Sequence, residues 1–195
     1  MFVYLLTYDF FRSIKYTKGV ELVHMVLRLG SCLITIKVKW RRRKTMASVF
    51  DVAKWFLAKK SMTHKKLQKL CYYAQAWYCA LYDGTPLFED EIQAWVHGPV
   101  IVSLYPKYAD YRWEKIPQQN FDESNFNEDI IDVLEAVYNT YGDFTGDQLE
   151  SLTHSEDPWK IARGKLKPWE TCNKAISCSD MRDYYGKKYE QAQND

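Results

Sequence analysis

Between residues 63 and 83 the apolar side chains fall at Leu67, Leu70, Cys71, Ala74, Trp77, Tyr78 and Leu81. This is the i, i+3, i+4, i+7 spacing that lays one apolar stripe along an α-helix. Thr63 supplies an N-cap oxygen and Gly84 a stop, so the helix is marked at both ends. Upstream, Ser48 caps a helix reaching Lys60 with Val52, Ala53 and Phe56 on its apolar side, and Ser61-Met62 is a short turn between the two. Such a tight connection predicts an αα-hairpin or a helix-turn-helix. Downstream, residues 83–86 (Asp-Gly-Thr-Pro) read as a turn. Residues 88–96 alternate loosely through Phe88, Ile92, Ala94 and Val96, which allows a short β element around residues 91–96. His97-Gly98-Pro99 breaks any element there, residues 100–108 read as a short helix, and residues 110–125 as an exposed loop.

Asn127 caps a helix over residues 128–141, striped by Ile130, Ile131, Leu134, Val137, Tyr138 and Tyr141. Thr145 caps another over residues 146–153. Asp157-Pro158-Trp159 opens a third with proline in its first turn, and Gly164 closes it. Residues 165–178 are irregular, and Ser179 caps a last helix over residues 180–191 that docks through Met181, Tyr184 and Tyr185. The sum is a mainly α fold, a compact single helical domain over residues 46–195.

Charge divides the chain. Residues 1–45 hold ten Lys/Arg and two Asp/Glu, a balance of +8, whereas residues 46–195 hold seventeen and twenty-three, a balance of −6. A negative body argues against non-specific nucleic-acid binding, which needs clustered positive charge. Lys59, Lys60, Lys65, Lys66 and Lys69 are the local exception. The helix that follows them carries Tyr72, Tyr73, Trp77 and Tyr78 rather than base-reading polar groups, which suits packing or protein contact better than DNA. The chain holds 15 Tyr and 7 Trp, the residue types that both cores and binding hot spots favour. Its five cysteines (Cys32, Cys71, Cys79, Cys172, Cys178) form no CxxC pair and no zinc spacing, a pattern fitting a reducing cytoplasm.

No GxSxG, P-loop, HExxH or GxGxxG is present. His64, His97 and His154, the last near Asp157, are the residues a hydrolase would use, and spacing alone gives them no mutual geometry. Glu89-Asp90-Glu91 reads as a solvated acidic corner rather than a metal site. The expectation is therefore a binding protein, not an enzyme, with no catalytic residue, cofactor or metal.

Several short elements occur in a fixed order: Lys66-Leu67-Gln68-Lys69-Leu70, Tyr72-Tyr73 and Trp77, then Pro86-Leu87-Phe88, Ile92 to Trp95, Gly98-Pro99-Val100, Ser103-Leu104-Tyr105, Leu152-Thr153-His154 and Pro158-Trp159. Together they resemble the SocA-like antitoxin family, or Panacea domain, which includes phage-associated GepA-like proteins. The likeness covers roughly residues 49–164. It implies an antitoxin of a bacterial or prophage toxin–antitoxin system that neutralises a cognate toxin, the product of a neighbouring gene, by direct binding. Some relatives deliver the toxin to a ClpXP-type protease; a DNA-binding regulator of its own operon is a further alternative. The resemblance implies that Lys66, Gln68, Lys69 and His97 line a shared groove facing the partner. Leu67, Leu70, Trp77, Trp95, Gly98, Pro99, Tyr105, His154, Pro158 and Trp159 are expected to be chiefly structural.

Residues 1–45 stand apart. Their apolar stretch 22–38 is interrupted by His24, Arg28 and Lys37, too short for a membrane span. Arg-Arg can be encoded by AGGAGG, a ribosome-binding sequence, and Arg42-Arg43 lies two codons before Met46. The expectation is a true start at Met46, with residues 1–45 a translated upstream leader.

Overall fold

The computed structural model describes residues 22–29, 32–39 and 46–194. The first two segments form a hairpin, β1 (Leu22–Leu29) and β2 (Cys32–Lys39), antiparallel with Leu22 opposite Lys39 and Leu29 opposite Cys32. The described part of the interrupted apolar stretch 22–38 is thus strand, not helix. The arginines at 42–43 lie outside the described residues.

Residues 46–194 are mainly α with short β pairs, as the pattern predicts. The helices are α1 (Val49–Lys59), α2 (His64–Leu81), α3 (Tyr105–Tyr108), α4 (Glu128–Tyr141), α5 (Gly146–Ser155), α6 (Asp157–Arg163) and α7 (Cys178–Asn194). The short strands are β3 (Met62–Thr63) with β6 (Lys115–Ile116), and β4 (Ile92–Trp95) with β5 (Gly98–Ile101), both pairs antiparallel. Ser48, Thr63, Asn127 and Thr145 each accept a backbone N–H at the start of the helix they cap, and Gln148 completes a capping box with Thr145. At α7 the hydroxyl that accepts the Asp180 N–H belongs to Ser177, two residues before the Ser179 the sequence suggests. No helix among the described residues is long and apolar enough to cross a membrane.

Two expectations are corrected. Residues 100–108 are not one helix, because Val100 and Ile101 belong to β5 and helix begins only at Tyr105. Gly98-Pro99 does not break the β structure but opens a strand. The reason is a pairing in which proline needs no amide. Ala94 faces Pro99, and the Ala94 N–H turns away to the carbonyl of Lys174 at 2.9 Å. This is a non-hydrogen-bonded pair, so the outer strand asks Pro99 for no donor. β4 lies between β5 and the extended segment at residues 174–176, whose Ile176 N–H reaches the Ile92 carbonyl at 2.7 Å.

The core is organised around α2. It packs against α1, α4, α5, α7 and β5, and fourteen of its eighteen residues are buried, so it is a central helix rather than an amphipathic surface one. Leu67 and Leu70 are wholly enclosed, and each such side chain contributes about 1.5–3 kcal/mol. Tyr73 stacks on Tyr141 of α4 at 4.1 Å, and Trp77 Nε1 donates to the Tyr141 hydroxyl at 3.1 Å. The α5–α6 junction adds a buried carboxylate: Glu156 accepts from Tyr73 (3.1 Å), Tyr185 (2.7 Å) and Lys188 (3.1 Å), tying α2 to α7.

Candidate functional site

The polar residues of α2 hold the segments that cross it. Gln75 Oε1 accepts from Leu87 N (2.9 Å) and Phe88 N (3.1 Å), while its Nε2 donates to the Phe88 carbonyl at 3.1 Å. Two turns earlier, Gln68 Oε1 accepts from Ile101 N at 2.8 Å and its Nε2 donates to the Ile101 carbonyl at 3.4 Å. Each glutamine thus acts as a short strand partner for backbone that would otherwise be buried unpaired.

Lys69 extends this clamp to the β4–β5 turn. Its ammonium donates to the carbonyls of His97 (2.5 Å) and Pro99 (3.1 Å). The outward carbonyl of the facing residue, Ala94, receives Arg163 Nη1 at 3.0 Å. A buried cation therefore sits at each outward carbonyl of the Ala94–Pro99 pair. Arg163 also donates to the carbonyls of Lys167 and Glu170 and lies over the Trp159 ring at 4.7 Å. Trp159 in turn donates from Nε1 to the Trp95 carbonyl at 3.0 Å.

Gly98 is where the clamp becomes tight. Its φ is +90°, and a Cβ there would stand 2.8 Å from Lys69 Cε and Nζ and from Thr153 Oγ1. Glycine alone satisfies both the backbone and the space.

Above Lys69 opens a cavity of about 500 Å³, lined among others by Gln68, Lys69, Trp95, His97, Tyr105, Arg112 and Trp113. That volume is in the range of small-ligand pockets. Trp95, Tyr105 and His64 form a cluster, with His64 4.9 Å and Trp95 5.0 Å from the Tyr105 ring. At the mouth, Trp113 is 80% exposed and Lys65 Nζ lies 5.7 Å from its ring centre.

Burial pushes the Lys69 ammonium down to about 7, with Glu150 pulling it up and Lys65 down. Burial, aided by the charge of Lys69, lowers His64 to about 4 and keeps it neutral at physiological pH. Lys65 bridges Asp147 (2.7 Å) and Glu150 (2.8 Å), and Glu150 also meets His97 Nδ1 at 3.0 Å. Burial alone would raise the Glu150 carboxyl, but the bonds from Lys65 and His97 outweigh it and leave it below the usual range.

Of the residues named for a shared groove, Gln68, Lys69 and His97 line this one cavity. Lys66 does not; its ammonium reaches the carbonyl of Gly142, the last residue capping α4, at 2.5 Å. Gln68 and Lys69 read as off the apolar stripe, yet both are buried, because α2 has neighbours on every side. His154 lies against Trp159, ring centres 4.1 Å apart, and its Nε2 is enclosed with no hydrogen-bond partner among the described residues. Leu67, Leu70, Trp77, Pro158 and Trp159 are core residues, Trp95 and Tyr105 line the cavity, and Gly98 and Pro99 lie against the Lys69 ammonium.

Sequence reasoning passed over Arg112, Trp113 and Arg163. The first two sit in a segment read as an exposed loop, and the signal available there was a tryptophan inside a polar run, Tyr111-Arg112-Trp113-Glu114-Lys115. Arg163 gave no signal, since a helix-terminal arginine is ordinarily solvated.

A family model described as antitoxin SocA-like, Panacea domain, matches residues 67–160, from Leu67 in α2 to Lys160 in α6. No curated protein matches, and no solved structure does.

Proposed function

We propose, from the match of residues 67–160 to the SocA-like antitoxin, Panacea domain family model, that this protein is an antitoxin that silences a toxin by binding it directly in the bacterial cytoplasm. The toxin is the product of a neighbouring gene. The observation that supports direct binding is the cavity mouth, where Trp113 (80% exposed), His97 and Tyr105 stand together over an aromatic-walled cavity. Exposed aromatic residues around a desolvated pocket are the usual makings of an interface hot spot. An interface of standard size, roughly 1,200–2,000 Å², centred there would cover the face without any chemistry by the antitoxin itself.

The test is growth. Cells expressing the adjacent open reading frame should arrest, and co-expression of the full-length chain should relieve the arrest, with the two proteins co-purifying in fixed ratio. Arrest that persists in the presence of well-expressed protein would remove the antitoxin reading.

A second reading has its own support. Ile161 in α6 (58% exposed), and Leu166 (37%) and Trp169 (71%) in the segment that follows it, are further exposed apolar side chains. An adaptor delivering the toxin to a ClpXP-type protease needs such an additional surface. It predicts falling toxin levels, not merely falling toxin activity. The operon-regulator reading loses support because four of its five lysines are engaged internally: Lys59 with Glu135, Lys65 with Glu150, Lys66 with Gly142 and Lys69 with His97.

A further inference from the structure

The cavity above Lys69 holds positive charge that the protein leaves largely uncompensated. Lys69 is 1% exposed, its partners are carbonyl oxygens, and among the described residues no carboxylate oxygen comes within 4.0 Å of its ammonium. The acid nearest in effect, Glu150, is engaged by Lys65 and His97. Arg112, exposed on the loop that lines the same cavity, has no ion pair among the described residues. A buried cation without a counter-ion is costly, and an anion brought beside it recovers part of that cost.

The walls are apolar and aromatic, so the complementary group is a carboxylate on an apolar stem. A free small acid would fill the cavity but leave Trp113 and Tyr105 exposed at its mouth, whereas a protein surface carrying the acid covers both. Resting on the antitoxin reading, we propose that the cavity seats an acidic residue of the toxin, its carboxylate held between the Arg112 guanidinium and the charge of Lys69 and its stem against Trp95 and Trp113.

The charged and titratable groups around Lys69 are His64 and Lys65 on α2, Glu150 and His154 on α5, His97 in the β4–β5 turn and Arg112 on the loop. With the ammonium already depressed to about 7 by burial, an incoming carboxylate restores its charged form. Binding therefore takes up a proton near neutral pH, and affinity falls as pH rises.

The experiment uses the full-length protein and two probes of one shape, 3-phenylpropanoate and its neutral amide 3-phenylpropanamide, followed by the tryptophan indole N–H signals. The carboxylate should move the Trp95 and Trp113 signals saturably and bind on the order of tenfold more tightly than the amide, about 1.4 kcal/mol in binding free energy. That advantage should shrink above about pH 8 as Lys69 loses its proton, and in Arg112→Gln, an exposed change that leaves the clamp intact. In the toxin complex, the carboxylate but not the amide should displace the toxin. Equal binding of the two probes, or no movement of the signals with either, overturns the proposal. So does binding of the carboxylate that leaves the toxin complex untouched, since the anion site would then serve a free acid. Growth rescue is scored separately. If rescue fails while the carboxylate preference holds, the antitoxin reading falls and the anion site stands.

Discussion

At the residue scale, Gly98 and His64 set the sharpest constraints. Gly98→Ala must accept a positive φ and push Lys69 or Thr153 aside, because its Cβ would lie 2.8 Å from both. The expected loss is about 2–4 kcal/mol in a urea titration. Gly84 is the internal control: its φ is +78°, but the nearest atom to an added Cβ is the flexible Arg182 side chain at 3.6 Å. Gly84→Ala should therefore lose only about 1 kcal/mol, the conformational part alone. Equal losses at the two sites would show that the Lys69 approach does not matter. His64 adds a pH dependence. Its unfolded imidazole takes up a proton near 6.5, whereas the folded one, buried and beside Lys69, waits until about 4. Its folded value is depressed, so the stability it confers is present above 6.5 and is lost as pH falls towards 4, on the order of 3 kcal/mol. Lys69 has the same sign at higher pH: the penalty of burying its charge stands in full below about 7 and is relieved as pH rises towards 10.5. The urea midpoint should fall steeply across the acid range in the wild type and less so in His64→Gln. An unchanged slope in that variant would assign the acid sensitivity elsewhere, with His154, also lowered by burial, the next to replace.

At the scale of elements, α7 is docked by a polar latch. Glu156 is 1% exposed and takes bonds from Tyr73, Tyr185 and Lys188. Burial holds its carboxyl above the ordinary value despite those donors. Glu156→Ala strands the Lys188 charge and two hydroxyls and should lose about 3–5 kcal/mol; Tyr185→Phe removes one donor and should lose about 1–2 kcal/mol. Amide hydrogen exchange should show α7 opening ahead of α2 in both. Uniform exchange across the two helices would mean that the latch does not set the docking of α7. This latch also marks where the sequence became unreadable. Helices capped by Ser48, Thr63, Asn127 and Thr145 were legible because a cap is a local event, satisfied within about three residues. Glu156 sits in a run, Ser155-Glu156-Asp157, that looks solvated, and its partners lie 83, 29 and 32 residues away. β5 was illegible for the same reason. Pro99 reads as a breaker unless one knows that the Ala94 N–H is already committed to Lys174. Likewise Gln68 and Lys69 read as a solvated face, and only the segments crossing α2 reveal them as its means of holding the cavity.

At the scale of the whole molecule, the exposed aromatic residues at the cavity mouth carry little of the fold, and this makes the proposed binding face testable by mutation. The groups that position the β4–β5 turn (Gln68, Lys69, Arg163) are each 2% exposed or less, and changing them disturbs structure and recognition together. Trp113 is different. At 80% exposure it contributes little to the folded chain alone, since burial energy scales with area removed from water. Trp113→Ala should therefore leave the melting temperature within about 2 °C of the wild type, surface changes being worth at most about 0.5 kcal/mol. If the cavity mouth is the centre of the toxin interface, the same substitution should weaken toxin binding by about 2 kcal/mol or more, roughly thirtyfold. Growth rescue should then require higher expression of the variant. Trp169→Ala, at 71% exposure in the segment after α6, should leave that affinity unchanged and, if the adaptor reading is right, slow loss of the toxin instead. Isothermal titration with both variants separates these cases. Weakening by Trp169→Ala with Trp113→Ala silent would move the interface off the cavity and onto the surface around Trp169.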